Sequence, residues 1–129
     1  MATLNEMRRY QNYEFSSGPR AGADYIQFQN KYINHLRSIC RANGWVLVNV
    51  GRNHYCFSTF IRDGNRYVYL SISDVRYFPN QWYNHILIRN AKNEKDYHGG
   101  QNRYCTLEGL TEAIKKCLEV WDNESQYRV

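Results

Sequence analysis

This sequence predicts an α+β fold: a helix, an antiparallel β-meander of three to four strands, and a second helix, with both helices packed on one sheet face. Three observations predict it. Residues 24–43 and 106–121 place apolar side chains at helical spacing, and between them lie short runs that alternate apolar and polar residues with period two. Short turns, Gly51-Arg52-Asn53 and Asp63-Gly64, join the first three of those runs, which makes these strands an antiparallel meander. The 129 residues, 15.5 kDa, suffice for one domain with one core and are too few for two ordinary ones.

The first helix begins at Asp24, with Gln27 in the position of a capping box. Ile26, Ile33, Leu36 and Cys40 recur along one side with Tyr32 and Ile39 beside them, while Gln29, Lys31, Arg37 and Arg41 fall elsewhere. Asn43-Gly44 ends it, because glycine takes the left-handed closing conformation without a steric penalty. Strands follow at 45–50 (WVLVNV) and 54–61 (HYCFSTFI), turned by Gly51-Arg52-Asn53. Asp63-Gly64 supplies the positive φ of the next hairpin turn.

In the third strand, 66–73, Val68, Leu70 and Ile72 alternate with Tyr67, Tyr69, Ser71 and Ser73. A fourth, 85–90, alternates Ile86 and Ile88 with His85, Leu87 and Arg89. From Asn90 the chain reads NAKNEKDYHGGQNRYC, a polar connection without periodicity that is either functional or mobile. Thr106 then caps the last helix, where Leu107, Leu110, Ile114, Cys117, Leu118 and Trp121 follow helical spacing. Glu108 and Glu112 sit at its positive end. The domain proper spans 24–122. Residues 1–23 read as a flexible segment with a joint at SSGPRAG, either a tail or a cover for the open sheet face, and 123–129 as a polar tail.

The order of elements resembles the helix, three strands, helix arrangement of the double-stranded RNA-binding domain. The resemblance is one of topology. That family carries a lysine cluster at the start of its last helix, whereas this helix starts TLEGLTEAIKK, with Lys115 and Lys116 deeper in, and no residue role carries over.

Two helices on one face leave the other open. With one strand register the open face holds Trp45, Leu47, Phe60, Tyr67, Tyr69, Leu87 and Arg89, and the loop between strands three and four adds Arg76, Tyr77, Phe78, Trp82 and Tyr83. The net charge is +5, and arginine supplies 12 of the 17 basic residues. Residues 45–89 hold five arginines against two aspartates, while residues 106–129 hold three cations against five carboxylates. Bases stack on aromatic rings while guanidinium groups hold phosphates. The expected function is therefore a small non-enzymatic nucleic-acid-binding protein, single strands included, acting through Arg66, Tyr67, Tyr69, Arg76, Tyr77, Trp82, Tyr83 and Arg89. The alternative is a protein-binding module, an inhibitor or adaptor, that meets an acidic protein surface with the same residues.

Other chemistry is thinly supported. Cys105 before the Thr106 cap, with His98 near in sequence, is a candidate thiolate and histidine pair. His54 and Cys56 share a strand face and could begin a metal site completed by His85, His98 or Cys105, yet no ligand pair has the usual spacing. Gly99-Gly100 precedes a helix N-terminus but lacks the spacing and lysine of a phosphate loop. Glu94, Asp96, Glu108 and Glu112 form no acid and base pair. No cofactor is expected. No stretch is apolar enough to act as a signal peptide or to cross a membrane, so the expectation is a cytoplasmic protein with reduced cysteines.

Overall fold

The computed structural model describes residues 2–11, 13–15, 22–52, 56–76 and 81–125 and shows an α+β fold of three α-helices and a five-stranded antiparallel sheet. A short helix, α1 (Ala2–Arg8), precedes the long amphipathic α2 (Ala23–Asn43). The buried stripe of α2 runs through Tyr25, Phe28, Tyr32, Leu36 and Ile39. Ile26, placed on that stripe by sequence, is 53% exposed, because Tyr25 and Phe28 take the core side of the first turn. Gly22, which has no side chain to cap with, stands at the start of α2, and the Asp24 carboxylate accepts from the neighbouring Tyr25 N–H at 2.9 Å. The other end closes as expected, with Gly44 at φ 73 and the Trp45 N–H donating to the Cys40 carbonyl at 2.9 Å.

The strands are β1 (Val46–Arg52), β2 (Phe57–Asp63), β3 (Arg66–Ile72), β4 (Ile86–Ala91) and β5 (Arg103–Cys105), and they lie side by side in sequence order. The expected three to four strands are thus five. β5 is only Arg-Tyr-Cys, too short to show any alternation, and it pairs with Ile88, Leu87 and Ile86 of β4. The β2–β3 turn forms at Asp63-Gly64, with Gly64 at φ 61 and an Arg66 to Asp63 ion pair of 2.6 Å clamping the hairpin. β1 is bulged: Val48 opposes Phe60 and Gly51 opposes Ser58, so two residues, Asn49 and Val50, face one, Thr59. Asn49 takes the left-handed φ of 48 that the bulge requires.

One side of the sheet carries Phe57, Ile61, Val68, Leu70, Ile72, Ile86 and Ile88, all buried in one cluster with the stripes of α2 and of α3 (Leu110–Ser125). Both long helices therefore cover that face. α3 is entered through a turn in which the Thr106 hydroxyl accepts from the Gly109 N–H at 2.9 Å and the Leu107 N–H donates to the Tyr83 carbonyl at 2.6 Å. Asn90, fully buried at the end of β4, donates to the Cys117 carbonyl at 2.7 Å and ties sheet to helix. The described N-terminal residues join the same side. Met7, Tyr10 and Phe15 are buried, and Tyr10 and Phe15 meet the Phe28 ring edge-on at 5.4 Å and 5.2 Å.

Candidate binding surface

Residues opposite one another across a ladder share a face, so the register defines the second side of the sheet in three rows. Val46, Arg62, Tyr67 and Ala91 form one; Val48, Phe60, Tyr69 and Arg89 the next; Gly51, Ser58, Ser71, Leu87 and Tyr104 the third. Phe60, Tyr67, Tyr69, Leu87 and Arg89 are here as expected. Trp45 and Leu47 are not. Leu47 pairs with Ile61, and both side chains pack against the core. Four consecutive apolar residues, Trp45 to Val48, carry no alternation from which a face could be chosen.

The middle row is closed by residues 92–102, which fold back over it. The Tyr97 ring sits on Phe60 at 5.3 Å and on Tyr69 at 5.9 Å, and the Arg89 guanidinium lies 4.5 Å over the Tyr69 ring. Arg89 also donates to the Tyr97 carbonyl and, at 3.1 Å, to Asn102. The bulge supplies the opposing clasp: the Asn49 amide reaches the Glu94 carbonyl and, at 3.0 Å, the Tyr97 hydroxyl. Phe60 ends fully buried on a face that sequence left open. The loop is itself built on short side-chain turns. Asp96 accepts from the N–H groups of Lys92 at 2.8 Å and Gly99 at 2.7 Å, and Asn93 accepts from Lys95 at 2.8 Å. Amides near Gly99-Gly100 that could cradle a phosphate thus already hold a carboxylate of the chain.

The predicted site residues are not gathered in one place. Tyr67, Tyr69 and Arg89 share the second face. Arg66 sits at the β2–β3 hairpin, held by Asp63 and donating to the Leu118 carbonyl at 3.2 Å. Arg76 is bound twice by Asp74, at 3.0 Å and 2.7 Å. Trp82 is 2% exposed, in a 3-10 turn (Trp82–Asn84) that turns it into the core, where its indole N–H donates to the Tyr10 carbonyl at 2.9 Å. Tyr83 is half-buried against the same cluster. Tyr77 and Phe78 lie outside the described residues.

Sequence reasoning missed Asn49, Arg62, Tyr97, and the pair of His85 and Tyr104, whose rings stack at 4.0 Å. The available signal was the Asn93 and Asp96 spacing, which marks a folded turn and not a slack connection. Tyr97 and Tyr104, 41% and 53% exposed, are the large rings this side offers to solvent.

The thiol candidate loses its chemistry. Cys105 lies in β5, not at a helix start, and burial pushes its thiol up to about 11, away from a thiolate. Burial likewise raises Cys56. His54 lies outside the described residues, and among those described no three His, Cys, Asp or Glu side chains come together as a metal site. Among the described residues no helix is long and apolar enough to cross a membrane. A cavity of about 230 Å³ opens between α1, α2 and the turn before α3, lined by Leu4, Ile39, Leu107 and the buried His35. Neither ring nitrogen of His35 has a partner among the described residues, and burial lowers its pKa from 6.5. Compared with known proteins, the chain matches no family model, no curated protein and no solved structure.

Proposed function

We propose that this is a non-enzymatic binding protein that meets an acidic protein surface with the second face of its sheet and the 92–102 loop. One observation carries the reading: Tyr67 and Tyr104 stand on that face and Tyr97 over it, and the last two are more than one-third exposed. Tyrosine brings large contact area with little rotamer entropy to lose, and its hydroxyl stays satisfied at a wet rim. Arg62 on the same face and Lys92 and Lys95 on the loop supply the cations that would meet carboxylates.

A nucleic-acid partner is the second reading, favoured by the register pair of Arg62 and Tyr67. It ranks lower because Arg66, Arg76 and Arg89 already hold carboxylate or carbonyl partners that a phosphate would have to displace. A photo-crosslinking side chain at position 104 separates the two. The expected product in host extract is one stoichiometric acidic protein, lost when Arg62 and Lys92 are both changed to glutamate. Retention of a single-stranded 20-nucleotide DNA or RNA at low salt, falling steeply as salt rises, would replace this reading with the second.

A further inference from the structure

α2 meets the entrance to α3 along a face built partly from small side chains. His35, Ser38, Ile39 and Ala42 follow the i, i+3, i+4, i+7 spacing of one helix stripe, and Leu107 and Thr111 oppose them. Ser38, Ala42 and Thr111 are too small to fill the space between, and Leu4 of α1 closes the third side. The result is the cavity of about 230 Å³ beside His35. Packed interiors leave few voids larger than a water molecule, so the contents of this one need a physical account.

His35 is 6% exposed, and neither ring nitrogen has a partner among the described residues. A buried polar group left unpaired is costly, and native structures satisfy nearly all of them. Gln29 and Asn90, also buried, donate to the Tyr25 hydroxyl and the Cys117 carbonyl. His35 instead lines the cavity with both nitrogens unused. Burial lowers its pKa from 6.5, so at neutral pH the imidazole is uncharged and keeps one N–H to donate and one nitrogen to accept.

What fits the space follows from its walls. Water takes about 30 Å³ per molecule and needs two to four polar partners. Several waters would face Leu4, Ile39, Ala42 and Leu107, which offer them none. An apolar cavity of about 150 Å³ holds benzene, so this one has room for a ring with a short substituent. An ion fits poorly. Among the described lining residues there is no lysine or arginine, and the carboxylate of exposed Glu108 is already paired with Arg8 at 3.0 Å. A charged ligand would lose its hydration with no partner in return. A hydroxyl group both donates and accepts, as the neutral imidazole does, and a phenol presents it on a rigid body that loses little freedom on binding.

We propose that the cavity between α1, α2 and the start of α3 binds a small uncharged phenol, with its ring against Leu4, Ile39 and Leu107 and its hydroxyl on His35. The site lies on the helix side of the sheet, so it goes beyond the protein-binding reading of the second face and stands without it.

The test uses the full chain and three probes of one shape: para-ethylphenol, ethylbenzene and para-ethylbenzoate. In NMR titrations para-ethylphenol should shift the methyl signals of Leu4, Ile39 and Leu107 and the ring protons of His35. Ethylbenzene, without the hydroxyl, should bind about tenfold more weakly, and the anion should not bind. His35→Leu removes the hydrogen bond and should bring the phenol and hydrocarbon affinities together. Ala42→Leu fills the cavity from an exposed helix position and should abolish binding without lowering the thermal midpoint. Tyr104→Ala, on the far face, should change nothing. No shifts at millimolar para-ethylphenol, equal binding of phenol and hydrocarbon to the unaltered chain, or full binding to Ala42→Leu would overturn the proposal. So would water contacts to the His35 ring that persist at saturating phenol, which would make the cavity a hydration site.

Discussion

The two faces of this sheet are closed in different ways. On the helix side, branched and aromatic side chains from three strands interlock with α2 and α3, and the cover is continuous. On the other side a single loop is held down by one tyrosine, one arginine and one asparagine. The first closure is hydrophobic burial spread over many residues; the second rests on a few directional contacts at the surface. Broad burial fails only when the core is hollowed, whereas a clasp of three side chains can be undone at one of them. The surface proposed for binding is the face whose cover is local.

The comparison breaks most severely at Trp82. Its replacement by alanine leaves a cavity and an unpaired Tyr10 carbonyl, and should cost about 3–5 kcal/mol in chemical denaturation. Little change would place the indole outside the core. Gly51→Ala strikes the second face directly, because a methyl group there meets the Ser58 hydroxyl at 2.4 Å. The expected loss is about 1–3 kcal/mol, with most of it recovered in the double variant Gly51→Ala, Ser58→Ala.

His35 sharpens the contrast through pH. Its folded pKa lies below the unfolded 6.5, so the unfolded chain binds the proton more readily. Stability is complete above 6.5 and falls as pH drops below it, with a slope of at most about 1.4 kcal/mol per pH unit from this one group. His35→Gln should flatten that part of the pH profile in thermal melts, leaving exchange of the loop amides unaltered. The smallest effect belongs to Tyr97→Ala. A global loss of about 1 kcal/mol or less should accompany faster hydrogen exchange at Lys92 and Gly99, whose N–H groups Asp96 holds, while β2 and β3 amides keep their protection.

Much of the helix side was legible because its signals are periodic. The spacing of Leu110, Ile114 and Cys117, and the alternation of Val68, Leu70 and Ile72, each repeat often enough to declare a face. Trp82 gave no such signal. It stands alone between strands, and its burial depends on a 3-10 turn and on a carbonyl far away in the chain. The aromatic crowding of Tyr10, Tyr13 and Phe15 in an otherwise polar segment was the trace of that contact. On the second face, Tyr67, Tyr69 and Arg89 followed from alternation alone. Their cover did not, since Tyr97 reaches Phe60 through a loop whose geometry comes from side-chain turns with no repeat.

A sheet laid out in sequence order has a kinetic consequence. Each strand pairs with the one made just before it, and the β1–β2 and β2–β3 hairpins close over short turns and pay little chain entropy, while longer connections, residues 73–85 and 92–102, lead into β4 and β5. The bond between Trp82 and the Tyr10 carbonyl spans 72 residues and is of another kind. During synthesis the first aromatic residues must wait for most of the meander to emerge before their partner exists. A nascent chain that stops short of residue 82 would carry Met7, Tyr10 and Phe15 with one side of their pocket missing. Ribosome-stalled lengths on either side of that residue should differ in resistance to protease.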